Sequence, residues 1–308
     1  MIRVFIDGSA GTTGLRIYER LGAREDISLI TLSDAERKDI SARRAALNEA
    51  DIAFLCLPDA AAVEAVSLVD NNRTAIIDTS TAHRVDPAFT YGFPEIGSRR
   101  AKIAASRRIA NPGCHASGFL ALIAPLVEGK LLSPDARLSC FSLTGYSGGG
   151  KKMIAEYEGQ GRDKLLAAPR VYGLSQSHKH LPEMQAVARL SHAPAFLPTV
   201  APFYSGMEVN VPLFARDVRV GIDDIAAFYK DYYKTGLVRF VENNSEGGFL
   251  SAAALSGRDD MEISVSGNAE RILLTARFDN LGKGASGAAI QNMNILLGVK
   301  EDTGLCIG

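Results

Sequence analysis

The sequence predicts an α/β chain in two parts: a doubly wound parallel sheet in the first third, then an α+β part built on longer strands. Three observations carry this. Short β-rich runs alternate with helical patterns from Ile2 to about Ala110, as in a parallel sheet whose strands are joined by helices. The first run breaks at Gly8, Gly11 and Gly14 and resumes at helical spacing. Beyond residue 126 the pattern changes to long alternating strands, which imply a mixed or antiparallel sheet.

Residues 2–6 form the first strand, and 15–21 follow as a helix after Gly8-Ser9-Ala10-Gly11-Thr12-Thr13-Gly14. Strand, glycine turn and helix start are the parts that set a pyrophosphate on a helix N-terminus. The G-x-x-G-x-x-G spacing taken alone also fits an ordinary strand-helix turn; its position after the first strand favours the nucleotide. The second strand, 27–32, ends at Ser33-Asp34-Ala35-Glu36-Arg37-Lys38. Strand ends of this kind meet an adenosine ribose, and a hydroxyl with cations suits a 2′-phosphate, so Ser33, Arg37 and Lys38 point to NADP. A solvated charged loop is the other reading, and Asp34 is an awkward neighbour for a phosphate.

A buried strand within 50–58 stops at Pro58, a helix covers 60–66, and a fourth strand runs over 75–80. Its end, Asp78-Thr79-Ser80-Thr81-Ala82-His83-Arg84, brings hydroxyls and a cation to the ligand side of such a sheet. Arg84 reads either as an anion clamp or as a surface ion pair. Arg99, Arg100, Lys102, Arg107 and Arg108 read as a solvated basic helix face.

The stretch Asn111-Pro112-Gly113-Cys114-His115-Ala116-Ser117-Gly118 opens an apolar helical run. A cysteine at a helix start faces unpaired N–H groups that favour thiolate over thiol, which is how a nucleophile is made. Three of the five histidines, His115, His178 and His180, lie here or in Ser175-Gln176-Ser177-His178-Lys179-His180-Leu181-Pro182-Glu183. An imidazole beside a thiol can exchange its proton near neutrality. H-x-H is also compatible with half a metal site or a surface turn, though no third ligand cluster accompanies it. Gly145-Tyr146-Ser147-Gly148-Gly149-Gly150-Lys151-Lys152 reads as a flexible loop, either cradling a phosphate or acting as a hinge. Later strands fall at 200–202, 207–213, 261–266 and 271–278, with helices at 222–229 and 284–297.

With 308 residues, 46% of them hydrophobic, the chain can bury a large core and divides more naturally into two domains than one. A net charge of −1 provides no field that would recruit nucleic acid or an anionic membrane. Cys56, Cys114, Cys140 and Cys306 lack C-x-x-C pairing, which argues against a disulfide framework or a zinc site, and no metal is expected. No signal-peptide pattern or membrane-spanning run is visible, so a cytoplasmic location is expected.

Asn111-Pro112-Gly113-Cys114, the glycine spacing, Tyr91-Gly92-Phe93-Pro94-Glu95, His178-Lys179-His180-Leu181-Pro182-Glu183, Asp279-Asn280-Leu281 with Lys283-Gly284-Ala285, and Gln291-Asn292-Met293-Asn294 occur in one order. Together they make the chain resemble the N-acetyl-γ-glutamyl-phosphate reductases of arginine biosynthesis along its whole length. Many members have an aromatic, Pro and Thr after the cysteine; His115-Ala116-Ser117 here is similar to the family's shorter subtype.

The resemblance implies a Rossmann-type NADP-binding domain over 1–115, completed by the helix within 284–308. An inserted α+β domain, 116–283, would serve substrate and subunit contacts in a homo-oligomer, dimer or tetramer. Cys114 would attack an acyl phosphate, release phosphate and hold a thioester for reduction to the semialdehyde, with His180 or His178 as acid/base. Cofactor contacts would come from Gly8, Ser9, Gly11, Thr12, Thr13 and Gly14, from Ser33, Arg37 and Lys38, and from Pro58, Ser80, Asn280 and Gln291. Substrate contacts would come from Arg84, Asn111 and Ser117, from Ser147, Gly148 and Lys151, and from Glu183. Two alternatives stand beside this: an aspartate-semialdehyde-type dehydrogenase, and a non-catalytic NADP sensor that keeps the glycine turn but needs no Cys114.

Overall fold

Alternation along short strands builds the first of two units, residues 1–94, 98–112 and 285–305, in a computed structural model that describes every residue from Met1 to Gly308. Its six strands are β1 (Ile2–Asp7), β2 (Ile27–Ile30), β3 (Ile52–Leu55), β4 (Ala75–Asp78), β5 (Thr90–Tyr91) and β6 (Arg108–Ala110). They lie in the order β2-β1-β3-β4-β6-β5, with every neighbouring pair parallel. Successive residues point to opposite faces. Val4, Ile6, Phe54 and Ile77 therefore pack one way, with Ile17 of α1 (Thr12–Gly22), Ile103 of α4 (Arg99–Ala105) and Ile290 of α9 (Gly287–Leu297). Phe5, Ala53, Leu55 and Ile76 pack the other way, with Leu47 of α2 (Ile40–Glu49) and Ala62 of α3 (Asp59–Leu68). Covered on both sides, the central strands read as continuous apolar runs.

Two elements of this unit depart from the sequence reading. The helix α2 buries only Ala46 and Leu47, too little to leave a periodic signal. Arg108 does not continue a basic helix face: it opens β6, and its Nη1 donates to the Thr74 carbonyl at 3.0 Å.

The second unit, residues 95–97, 113–284 and 306–308, holds a seven-stranded mixed sheet. Its strands are β7 (Ser139–Gly145), β8 (Arg170–Val171), β9 (Ala195–Ala201), β10 (Met207–Phe214), β11 (Val238–Phe240), β12 (Met261–Gly267) and β13 (Arg271–Phe278), in the order β11-β12-β13-β10-β7-β9-β8. One face carries α5 (Cys114–Glu128) against β10 and β13, and α8 (Ile222–Tyr232) against β12. Tyr233, the C-cap of α8, ties the two helices by donating its hydroxyl to the Ala121 carbonyl at 2.7 Å. The helix α5 is buried all round from His115 to Val127, as expected of a helix without a polar stripe. On the opposite face Phe141 and Leu197 sit directly paired across β7 and β9, and both are exposed.

Residues 145–152, read from sequence as a flexible loop, form a 3-10 turn (Tyr146–Gly149) that passes into α6 (Gly150–Glu158). Gly150 makes the junction at φ +73°, where a side chain would be strained. The strand expected at 200–202 begins earlier, at Ala195, because its pairing with β7 starts at Ser139. No helix is long and apolar enough to cross a membrane.

Candidate active site

In the first unit, β1 ends at Asp7 and the chain turns through Gly8 at φ +88°, a conformation glycine adopts without strain. A side chain at Gly8 would run into the Cys56 carbonyl, and one at Gly14 into the Gly8 carbonyl, so the turn closes only with glycine at both places. Gly11 donates its N–H to the Gly8 carbonyl at 3.0 Å and caps α1 without any side-chain hydrogen bond. The Thr12 hydroxyl in the first turn is buried with no hydrogen-bond partner. A cavity of about 480 Å³ opens beside this turn, lined among others by Gly8, Ser9, Tyr18, Leu32 and Arg37. Asp7 would repel an anion there, but Arg43 pairs with it at 2.9 Å, and burial raises its pKa against the pull of that arginine. An uncapped helix start, an unsatisfied buried hydroxyl and a glycine-lined cavity together fit a dinucleotide pyrophosphate.

The remaining cofactor candidates of this unit are partly engaged within the protein. Arg37 lines the cavity and pairs with Asp34 at 3.0 Å. Ser33 takes part in a local cap: its N–H donates to Glu36 at 2.8 Å, and its hydroxyl first and this N–H second hold that carboxyl below its ordinary range. Lys38 and Pro58 are exposed, the latter as the N-cap of α3. Ser80 donates its hydroxyl to Asp78 at 2.7 Å, and His83 Nδ1 lies 2.6 Å from the same carboxylate. Arg84 is buried, its Nε and Nη2 donating to the carbonyls of Asn111 and Thr79 at 3.0 Å. Asn111 donates to the Ala285 carbonyl at 3.0 Å and accepts from Asn292 at 3.2 Å, while Gln291 donates to Glu301 at 3.0 Å.

In the second unit Cys114 is the first residue of α5, behind the N-cap Gly113, and it is half-buried. Glu183, itself buried, accepts the Gly113 N–H at 2.7 Å, so a carboxylate stands one residue before the sulfur. The thiols of Cys56 and Cys140 are buried, and burial pushes Cys56 up to about 12 and Cys140 higher still, so neither supplies a thiolate.

The rings of His178 and His180 converge, with centroids 4.8 Å apart. Backbone N–H of His180 donates to His178 Nδ1 at 3.2 Å, so neutral His178 carries its proton on Nε2. Burial and then Lys179 lower the pKa of His178. His115 completes a three-ring cluster, its centroid 5.8 Å from His178 and 5.6 Å from His180. Sequence reasoning counted His115 with the other two but gave it no role, and it missed Tyr172 and Ser142, whose hydroxyls each lie 2.6 Å from the His115 ring. No group of His, Cys, Asp and Glu side chains is arranged to hold a metal ion.

Ser117 is buried and donates back to the Gly113 carbonyl at 3.1 Å. Ser147 is buried and accepts from Asn280 Nδ2 at 3.0 Å, while Asn280 Oδ1 takes the Gly206 N–H at 2.9 Å. Gly148 packs where a Cβ would approach Asn280 and Thr144 to 3.4 Å, and Lys151 is exposed in the first turn of α6, a helix whose N-cap makes no side-chain bond.

Residues 3–105 match the family model of the semialdehyde dehydrogenase NAD binding domain, and 114–280 match that of the semialdehyde dehydrogenase dimerisation domain. Among solved structures, the chain is similar to aspartate semialdehyde dehydrogenase II from Vibrio cholerae, with a TM-score of 0.74 at 17% identity over 96% of this chain and 98% of that one. It is also similar to aspartate semialdehyde dehydrogenase from Francisella tularensis, with a TM-score of 0.71 at 15% identity over 96% of this chain and all of that one. At such identities the likeness shows the fold. Sequence relatives are far nearer: N-acetyl-gamma-glutamyl-phosphate reductase of Burkholderia lata is 44% identical over 97% of both chains. That of Brucella ovis is 45% identical over 96% of this chain and 99% of its own. The chain therefore belongs to the N-acetyl-gamma-glutamyl-phosphate reductase family, on the semialdehyde dehydrogenase fold.

Proposed function

We propose that this chain reduces N-acetyl-γ-glutamyl phosphate to N-acetylglutamate 5-semialdehyde with release of phosphate, an NADPH-dependent step of arginine biosynthesis. The observation that carries the reading is full-length identity of 43–45% to reductases of that name, supported by a cysteine at the start of a buried helix whose next residue, His115, belongs to a cluster of three histidine rings.

In this reading the Cys114 thiolate, favoured by the first-turn N–H groups of α5, attacks the acyl carbon. The bond to the phosphate oxygen breaks, leaving a thioester on the sulfur and free phosphate. Bound NADPH, held by the glycine turn, Thr12, Thr13 and the Ser33–Lys38 loop, would supply the hydride that reduces the thioester. Of the two histidines offered as acid/base we assign His180, because His178 has Nδ1 engaged by a backbone N–H and a pKa lowered by burial. We assign the leaving phosphate to Arg84, Ser147, Gly148 and Lys151, since a dianion needs cations and N–H donors. Asn111, Ser117 and Glu183 act, on this account, by shaping the turn that carries Cys114, and Asn280 by holding Ser147. Pro58, Ser80 and Gln291 keep their assignment to the cofactor's side.

The exposed Phe141–Leu197 pair and Phe214, on strands within the matched dimerisation domain, are our candidate surface for a second copy of the chain. A cytoplasmic site of action belongs to the same proposal, with four free cysteines suiting a reducing compartment.

The test is substrate choice in the oxidative direction, with NADP and phosphate present. N-acetylglutamate semialdehyde should be turned over, and aspartate semialdehyde at least about 100-fold more slowly, since a site built for a buried amide rejects a substrate lacking it. The reverse preference would replace this reading with the aspartate-type dehydrogenase. Turnover of neither, with NADP still bound, would favour the sensor.

A further inference from the structure

Glu95 and Lys283 lie in separate sequence motifs, and the second unit brings them together as a buried ion pair. Lys283 Nζ donates to Glu95 Oε1 at 2.7 Å, with both side chains 2% exposed or less. Taking two charges out of water is costly, and apolar residues of similar volume often hold a core as well. What the ion pair adds here is geometry. Glu95 Oε1 also accepts the N–H of Leu237 at 3.0 Å, so the anchor for Lys283 is itself fixed to backbone.

Lys283 belongs to a π-helical turn, Gly282–Ser286, a rare backbone form often seen at functional sites. Fully buried Asp279 holds the front of this turn: its carboxylate accepts the Leu281 N–H at 2.7 Å, and its carbonyl accepts the N–H groups of Gly282 and Gly284 at 3.1 and 3.0 Å. Lys283 holds it through its side chain. Between these anchors Gly284 meets the nucleophile. A Cβ added at Gly284 would stand 3.0 Å from Cys114 Cβ and 3.1 Å from the Asp279 carbonyl oxygen, inside the roughly 3.5 Å at which carbons rest in contact. Gly284 lies outside the left-handed region, so space and not backbone conformation asks for glycine here. Bare backbone therefore forms one wall of the Cys114 side chain.

We propose that Gly284 sets the orientation of the Cys114 side chain, and that Lys283 and Glu95 are positioning residues that hold Gly284 against it. The sulfur keeps its place at the first N–H groups of α5 because the wall beside its Cβ does not move. The proposal deepens the assignment of Cys114 as nucleophile and rests on it.

The experiment follows the rate of alkylation by iodoacetamide in the folded protein without dinucleotide, with peptide mass spectrometry reading each cysteine separately. Gly284→Ala adds one methyl group against Cys114. Lys283→Met combined with Glu95→Gln removes both charges, leaves no buried ion unpaired and keeps an acceptor for the Leu237 N–H. Each change should slow alkylation of Cys114 about threefold or more, the size of a helix-terminus effect on a thiolate that has been displaced. Cys140, fully buried in the same unit, should stay protected. A turn that merely stabilises the fold gives the opposite sign, since loosening it would speed Cys114 and uncover Cys140. Unchanged or faster alkylation of Cys114 in Gly284→Ala overturns the contact, and the same result in the paired variant overturns the anchor. Proton NMR of the unsubstituted protein supplies a reading that needs no variant: a nuclear Overhauser effect should join Gly284 Hα to Cys114 Hβ, and its absence would overturn the proposal. None of these readouts requires substrate, whereas the role of Cys114 as nucleophile is decided by acyl capture, so the two ideas fail separately.

Discussion

Helices α1 and α5 begin alike and differ in what meets their first N–H groups. Each follows a parallel strand through a glycine-containing turn, and each has a glycine N-cap with no side-chain bond. Along α1 only Gly14, Ile17 and Leu21 are buried, so one face remains in solvent and its start borders an open cavity. Along α5 everything from His115 to Val127 is buried, and its start is crowded by Glu183 and by histidine rings. The same donors thus suit a soluble anion that comes and goes in one place, and an anion made on the chain's own sulfur in the other. Burial decides between binding and chemistry here.

The strongest way to break that contrast is Cys114→Ala. Turnover should fall by at least about a thousandfold, as for loss of a covalent nucleophile, while NADPH titration by fluorescence stays unchanged. Retained turnover would leave the α5 start with no chemical role.

Acid should separate the two helices next. His115 is neutral in the folded protein, with a pKa near 3 against 6.5 for the free side chain. The unfolded chain therefore binds the extra proton, so this contribution is fully present above pH 6.5 and is lost progressively as pH falls from 6.5 towards 3. The loss is on the order of a few kcal/mol. Hydrogen exchange read by mass spectrometry should show residues 113–128 losing protection on acidification before residues 12–22, and His115→Asn should remove much of that difference.

Gly14→Ala probes the other side of the comparison. Its methyl group would meet the Gly8 carbonyl, so the turn must open, at about 1–3 kcal/mol. NADPH affinity should drop tenfold or so in consequence, a fall of about 1.4 kcal/mol, with Cys114 alkylation unaffected. The smallest effect is expected from Arg37→Ala: its guanidinium is already shared with Asp34, so the preference for NADP over NAD should weaken by less than about tenfold. Isothermal titration with both dinucleotides measures it.

Local signals made much of this legible. Glycine spacing marked the α1 turn because only glycine tolerates φ +88° and the close carbonyl at Gly8. A Pro-Gly before Cys114 marked the start of α5, and alternation marked β10, β12 and β13. What escaped depends on distant partners. The two-residue strand β8 exists because Arg170 and Val171 find Val200 and Thr199, and the His115 ring finds its partners in a serine 27 residues away and a tyrosine 57 residues away. Residue type also hides competition. Ser80, Asn111 and Gln291, offered as ligand contacts, also have partners within the fold, their side chains bonding Asp78, Ala285 and Glu301, which no spacing could have announced.

The central claim, that the start of α5 makes an acyl-accepting sulfur, is tested most directly by mixing the protein with N-acetyl-γ-glutamyl phosphate without any dinucleotide. Acid quenching and peptide mass spectrometry then locate the acyl group. The account predicts one N-acetylglutamyl thioester, on Cys114, with an equivalent of phosphate released. Phosphate release with Cys114 unmodified, or an acyl group on another residue, would contradict it.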